Sequence, residues 1–176
     1  YDAKTVTNTS GKQMVMDEVT RNYIAVNGNC VTYTEDRGLV FDFKNRNSYL
    51  NLGNKFNEVF SKGSFSISVW CNLRSHEATE STRRSGMLVS KWYSSDRDWK
   101  RNSFIIYSTG TFVSAYENSF SHILDESGNA ASLPLDTWLH MVYSLDGGKL
   151  SVYINGEKQL ISNQNRVHRF SNSCAE

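Results

Sequence analysis

Between Trp138 and Gly156 the side chains alternate with the two-residue period of a strand. Trp138, His140, Val142 and Ser144 fall in one phase, and Leu139, Met141, Tyr143 and Leu145 in the other. Asp146-Gly147-Gly148 follows and supplies the positive-φ residues that a hairpin turn needs. Leu150, Val152 and Ile154 then alternate with Ser151, Tyr153 and Asn155, up to a second turn at Asn155-Gly156. The pattern predicts an antiparallel meander of half-buried strands, with Trp138 expected to anchor the core.

The same reading applied upstream predicts short strands and no long helix. Thr5 to Gly11 reads as turn chemistry, and Tyr23 to Tyr33 alternates weakly around Asn27-Gly28. Leu39 to Leu52 holds two short strands broken by Lys44-Asn45-Arg46-Asn47, and Phe56 to Phe60 suits one helical turn ahead of Gly63. Phe65 to Leu73 is a strong strand and Met87 to Lys91 another, separated by the polar loop Ser75 to Ser85. Trp92 to Asn102 is a charged, aromatic loop. Phe104 to Tyr107 and Phe112 to Tyr116 form a hairpin around Thr109-Gly110, Phe120 to Leu124 is a further candidate strand, and Asp125 to Asp136 is loop. Short strands separated by turn residues define a β-sandwich.

Four segments in order carry a resemblance to a known family. They are Gly38–Phe43 with Tyr49–Gly53, then Phe65-Ser-Ile-Ser-Val-Trp70, then Met87-Leu-Val-Ser-Lys-Trp92, then Trp138-x-His-x-Val followed by Leu150-x-Val-Tyr-Ile-Asn-Gly156. Together they resemble the laminin-G-like jelly-roll domains of the concanavalin A-like lectin/glucanase superfamily, over roughly Thr5 to Leu160. The resemblance implies an all-β, two-sheet antiparallel jelly-roll sandwich, with Gly38–Phe43 and Tyr49–Gly53 as its opening strand pair and His140 as a structural residue. It says nothing specific about the ligand, because this fold hosts lectins, adhesion modules and glycosidases alike. Such domains continue through further strands after the Asn-Gly turn. Here Glu157 to Glu176 is mostly polar, with Val167 and Phe170 its large apolar residues near the end. Two expectations stay open: the N-terminal segment completes the sandwich, or a partner strand or parent-protein domain covers an edge at the C-terminal side.

Composition narrows the class. At 176 residues, with 39% hydrophobic and 12% aromatic residues, the chain is read as one globular domain over 1–176, an excised or truncated part of a larger protein. A net charge of +1 gives no strong field for nucleic acid. No apolar run reaches the roughly 18 residues of a membrane span. Cys30, Cys71 and Cys174 have no zinc-type spacing; Cys71 continues the inward phase of its strand, and a Cys30–Cys174 bridge is one conceivable pairing. Asn8-Thr9-Ser10 is a glycosylation sequon.

Chemistry-bearing residues are sparse. Glycoside hydrolysis needs two facing carboxylates of different tuning. The Glu-x-Asp-x-x-Glu strand that the resemblance would imply for a glucanase does not occur. Glu77, Glu80, Asp96 and Asp98 fall in polar loops, and Asp125 and Glu126 are adjacent, so on a strand they would face apart. His140 reads as a half-buried, hydrogen-bonded ring, and His76, His122 and His168 are dispersed. Glycan binding needs aromatic faces beside polar groups. The loop Lys91 to Arg101 has that composition, with Trp99 as aromatic platform, Tyr93 beside it, and Arg97 and Arg101 as hydrogen-bond donors. Tyr93, Tyr107 and Tyr116 rank second to Trp99. Arg83, Arg84, Lys91, Arg97, Lys100 and Arg101 form a basic cluster; the resemblance implies sulfated glycans or acidic glycoproteins as partners for such a patch. Calcium is a candidate ligand of turn oxygens at Asp125, Glu126, Asn129, Asp136 and Asp146, without any Asp-x-Asp-x-Asp spacing.

The sequence thus leads to a non-catalytic recognition module for glycan or glycoprotein, within an extracellular, cell-surface or virion-surface protein. The alternatives are a structural sandwich that packs only within its own assembly and, less favoured, a glycoside hydrolase recruiting loop carboxylates.

Overall fold

The computed structural model describes residues 6–9, 12–28, 30–42, 48–53, 56–74, 86–91, 104–114 and 119–170. The chain divides into two compact units, Tyr1–Gly53 and Asn54–Glu176.

The first unit contains β1 (Val6–Thr9), β2 (Lys12–Met16), β3 (Tyr23–Asn27), β4 (Val31–Thr34), β5 (Gly38–Phe41) and β6 (Tyr49–Leu50). Its main sheet has the order β1-β2-β3-β6, and β4 pairs with β5. Thr5 to Gly11 is therefore not all turn: Val6–Thr9 pairs antiparallel with Lys12–Met16. The β-branched Val6, Thr7 and Thr9 favour extended backbone, a preference that their polar neighbours mask. The expected opening pair is also rearranged, since β5 pairs with β4 while β6 pairs with β3. Val15, Val26, Cys30 and Val31 form a small core, with Phe41 and Leu50 against it. The Gln13 amide links the two sheets of this unit, donating to the Val31 carbonyl at 2.9 Å and accepting from the Val31 N–H at 3.0 Å. Cys30 is a buried free thiol rather than half of a bridge, and burial pushes its pKa up. Cys174 lies outside the described residues.

The second unit contains α1 (Asn57–Ser61), β7 (Phe65–Asn72), β8 (Met87–Lys91), β9 (Phe104–Tyr107), β10 (Phe112–Ser114), β11 (Ser119–Ser121), β12 (Trp138–Asp146), β13 (Lys149–Ile154) and β14 (Glu157–Lys158). Its strands form two antiparallel sheets, ordered β14-β13-β12-β7 and β11-β10-β9-β8. The inward phases of both sheets meet in one core: Phe65, Cys71, Leu139, Met141, Tyr143 and Val152 from the first, and Phe104, Ile106 and Phe112 from the second. This is the antiparallel sandwich that the alternation predicts, of the jelly-roll class that the resemblance implies. The predicted helical turn is α1, whose Phe60 lies edge-on to Phe65 and Phe104 at 4.8 and 5.1 Å. The Lys91 ammonium sits 5.7 Å from the centre of the Phe60 ring, a cation–π contact.

Two expectations change. Trp138 is not a core anchor; it is half-buried and shares the outward phase of His140, Val142 and Ser144, while Leu139, Met141, Tyr143 and Leu145 fill the core. The more uniformly apolar phase wins the interior, and a single large ring does not reverse it. The polar tail also returns to the sandwich. Ile161 bridges Ile123 and Val167 bridges Lys149, His168 is buried, and Phe170 packs on Phe65, Phe104 and Phe112.

Tyr143 is fully buried, and its hydroxyl donates to the Gly110 carbonyl at 2.8 Å. Burial, with the Cys71 thiol nearby, pushes the phenol well above the ordinary tyrosine range. The folded state therefore holds this proton more tightly than the unfolded chain. The resulting stability is fully present below about pH 10 and lost as pH rises through the folded value. Denaturant melts of wild type and Tyr143→Phe at neutral and strongly alkaline pH should show a steeper alkaline loss in wild type. Equal losses would place the alkaline sensitivity elsewhere. At neutral pH, Tyr143→Phe should itself cost about 1 kcal/mol or more, since it orphans the buried carbonyl of Gly110.

Candidate functional site: the outer face of β7, β12 and β13

Because Phe65, Ile67, Val69 and Cys71 turn inward, Ser66, Ser68, Trp70 and Asn72 are forced outward on β7. The ladder sets Asn72 opposite Trp138, Trp70 opposite His140, Ser68 opposite Val142 and Ser66 opposite Ser144. On the other side of β12, Tyr153 lies opposite Val142 and Ser151 opposite Ser144. The outer face thus has an aromatic end and a hydroxyl end. The other sheet offers no such face at its centre, because the outward-phase Ile105 and Val113 of β9 and β10 are themselves buried.

Trp70 is 64% exposed, although it is one of the largest apolar side chains in the protein. It stacks on His140 with ring centres 4.9 Å apart and planes inclined by 21°. One face of the indole is therefore occupied, and the exposed surface is its other face and edge. His140 is held from three sides. Its Nε2 shares a 2.8 Å hydrogen bond with the Ser68 hydroxyl, its backbone N–H donates to the Asn155 side-chain oxygen at 2.9 Å, and its carbonyl accepts from the Asn155 N–H at 2.8 Å. Asn155 can do both because it occupies the left-handed region, φ 51°, in the turn predicted at Asn155-Gly156. Further along, the Ser66 and Ser144 hydroxyls are 3.0 Å apart. Trp70 is thus an aromatic surface fixed on a rigid sheet, with hydroxyls along the strands beside it.

The Ser68–His140 pair places a hydroxyl beside an imidazole. Among the described residues no carboxylate partners the other imidazole nitrogen, so the pair lacks the third member that orients the base of a triad. His122, which stacks on Phe120 and contacts the Thr111 hydroxyl at 3.2 Å, and the buried His168 are engaged elsewhere. Among the described residues no three His, Cys, Asp or Glu side chains gather to hold a metal ion. Of the calcium candidates, Asp125 caps its own turn, accepting from the N–H groups of Ser127 and Asn129 at 2.9 Å each. Glu126, Asn129, Asp136 and Asp146 are exposed.

The binding residues expected from sequence, Tyr93, Arg97, Trp99 and Arg101, lie outside the described residues, as do Tyr116, His76 and, apart from Lys91, the basic cluster. Tyr107 is half-buried at the end of β9, its N–H donating to the Thr111 carbonyl at 2.9 Å. Trp70 was not singled out, yet the signal for it was in the chain: a Trp in the polar phase of an alternating strand.

Residues 43–172 match the family described as the concanavalin A-like lectin/glucanases superfamily, through its laminin G domain. The chain belongs to that family. The match takes in every element from β6 to β14 and the whole face around Trp70, and begins after β5. The comparison with curated proteins found no match, and neither did the comparison with solved structures.

Proposed function

We propose that this domain is a non-catalytic recognition module that binds glycan or glycoprotein, within a larger extracellular, cell-surface or virion-surface protein. The observation that carries the reading is Trp70: a 64% exposed indole held flat against His140 on an open sheet face lined by hydroxyls. An exposed aromatic next to fixed polar groups is what the apolar face and hydroxyls of a sugar require. Membership of a lectin-containing superfamily supports it. We further propose that the Trp92–Arg101 loop adds contacts, with Trp99 and Tyr93 as aromatic surface and Arg97 and Arg101 as donors, and that calcium, where it acts, does so through turn oxygens.

The test is binding of the full chain to immobilised glycans and glycoproteins with and without calcium, together with product analysis of any bound glycan. Trp70→Ala should weaken binding by roughly ten-fold or more while changing stability by less than about 1 kcal/mol. Trp99→Ala should lose roughly 1–3 kcal/mol of binding. Turnover of a bound glycan, abolished by changing one carboxylate to its amide, would overturn the non-catalytic reading. Unchanged binding by Trp70→Ala would remove this face from the site.

A further inference from the structure

We infer that the ligand of this face is an uncharged, extended glycan chain lying along β7 and β12, with one sugar ring on the free side of Trp70 and its neighbours running over the serines. This rests on the recognition reading above and adds the class of ligand and its direction. Charge is the first ground. Among the described residues, no outward side chain of β7 or β12 from the Asn72–Trp138 pair to the Ser66–Ser144 pair is a carboxylate, ammonium or guanidinium. Among the described residues the nearest charged groups are Arg74 beyond the end of β7, Asp146 and Lys149 at the hairpin turn, and Lys158 of β14, which shares the row of Val142 and Tyr153 two strands away from β12. A sulfate or carboxylate laid along the middle would lose water and gain no counter-charge. A neutral ligand loses nothing by the same placement.

Shape is the second ground. The polar groups are spread along the strands rather than gathered around a pocket. Trp70 comes first, then Ser68 in its bond to His140, then the Ser66–Ser144 pair with Ser151 beside it. From Trp138 to Ser144 the face runs for about 20 Å at the usual rise of a strand. A single sugar would cover Trp70 and leave the hydroxyl end unused, whereas an extended chain of several sugars reaches both. The serine hydroxyls donate and accept, matching sugar hydroxyls, which do the same.

The experiment is a glycan array probed with the full chain. It carries linear neutral oligosaccharides of increasing length, built from β-linked glucose, mannose, galactose, xylose and N-acetylglucosamine, beside sulfated and sialylated chains. Neutral chains should bind, with affinity climbing with length until the chain spans the face and then levelling. Added salt should leave binding nearly unchanged. Trp70→Ala should lose about ten-fold or more on every length. Ser66→Ala and Ser144→Ala should lower affinity for long chains and leave the shortest binders unaffected, a pattern that general destabilisation would not give. Binding confined to sulfated or sialylated chains and weakened by salt would overturn the inference and leave the recognition reading standing. So would neutral binding without length dependence. Binding to no glycan on the array and to no glycoprotein would overturn both.

Discussion

Phe104→Ala is expected to destabilise the protein by about 3–5 kcal/mol, the range for emptying a fully buried aromatic site. Phe104 has no exposed surface, and its ring lies 5.1 Å from Phe60, 5.6 Å from Phe65, 5.8 Å from Phe112 and 6.2 Å from Phe170. Those partners come from α1, β7, β10 and the C-terminal tail, so this one side chain joins both sheets to the segments that close them. Removing it leaves a cavity whose walls belong to different elements, and Phe65 and Phe112 cannot collapse into it without leaving their ladders. Trp138→Ala, on the outward phase, is expected to cost clearly less despite the larger ring. Urea melts of the two variants decide the matter. A Phe104→Ala loss equal to or below that of Trp138→Ala would show the core to lie on the other face of β12. Truncation after Lys158 should be at least as damaging as Phe104→Ala, because it strips Ile161, His168 and Phe170 from the sandwich.

Strands β7, β12 and β13 were legible because each alternates over several residues, and alternation fixes both the element and its two faces. The register was not legible. Nothing in the sequence says that Trp70 lies opposite His140, and without that pair the indole reads as one letter of a family motif. The first unit was harder for a different reason. Val6–Thr9 is polar and short, so its strand depends on pairing with β2 rather than on any pattern of its own. The tail escaped for the same reason. It contributes isolated bridges and the rings of His168 and Phe170, contacts that leave no periodicity in the chain. For the site, composition pointed to Trp99 and its charged loop, because aromatic and basic residues are dense there. The phase of β7, which that reading did not weigh, sets Trp70 apart as a large apolar ring among serines. An aromatic in the wrong phase of a strand is the stronger signal, since a strand fixes where its side chain goes and a loop does not.

Gly148→Ala is expected to cost about 2–5 kcal/mol, the sum of forcing a left-handed backbone on a residue with a Cβ and of overpacking a closed contact. Gly148 has φ +80°, and a Cβ there would be driven into the His168 carbonyl oxygen, with Val167 Cγ1 at 2.9 Å and the His168 nitrogen at 3.2 Å. The position is where three segments meet. The Gly148 N–H donates to the Gly63 carbonyl at 2.7 Å, ahead of β7, and the His168 N–H donates to the Gly148 carbonyl at 2.8 Å. The obstruction is backbone on the far side, so the tail cannot yield by turning a side chain. Its neighbour is the control: Gly147 is also left-handed, φ +53°, but nothing lies within 4 Å of the added carbon. Gly147→Ala should therefore cost only about 1–2 kcal/mol, the backbone part alone. The excess at position 148 then measures how firmly the tail is docked. If Gly148→Ala lifts the tail from the sandwich, adding Phe170→Ala should cost less than it does in wild type, because the ring has already lost its place; the double-mutant cycle reads that coupling directly. Equal losses for Gly147→Ala and Gly148→Ala in urea melts would show that the tail does not press on the turn, and would return the closure of the sandwich to some other segment.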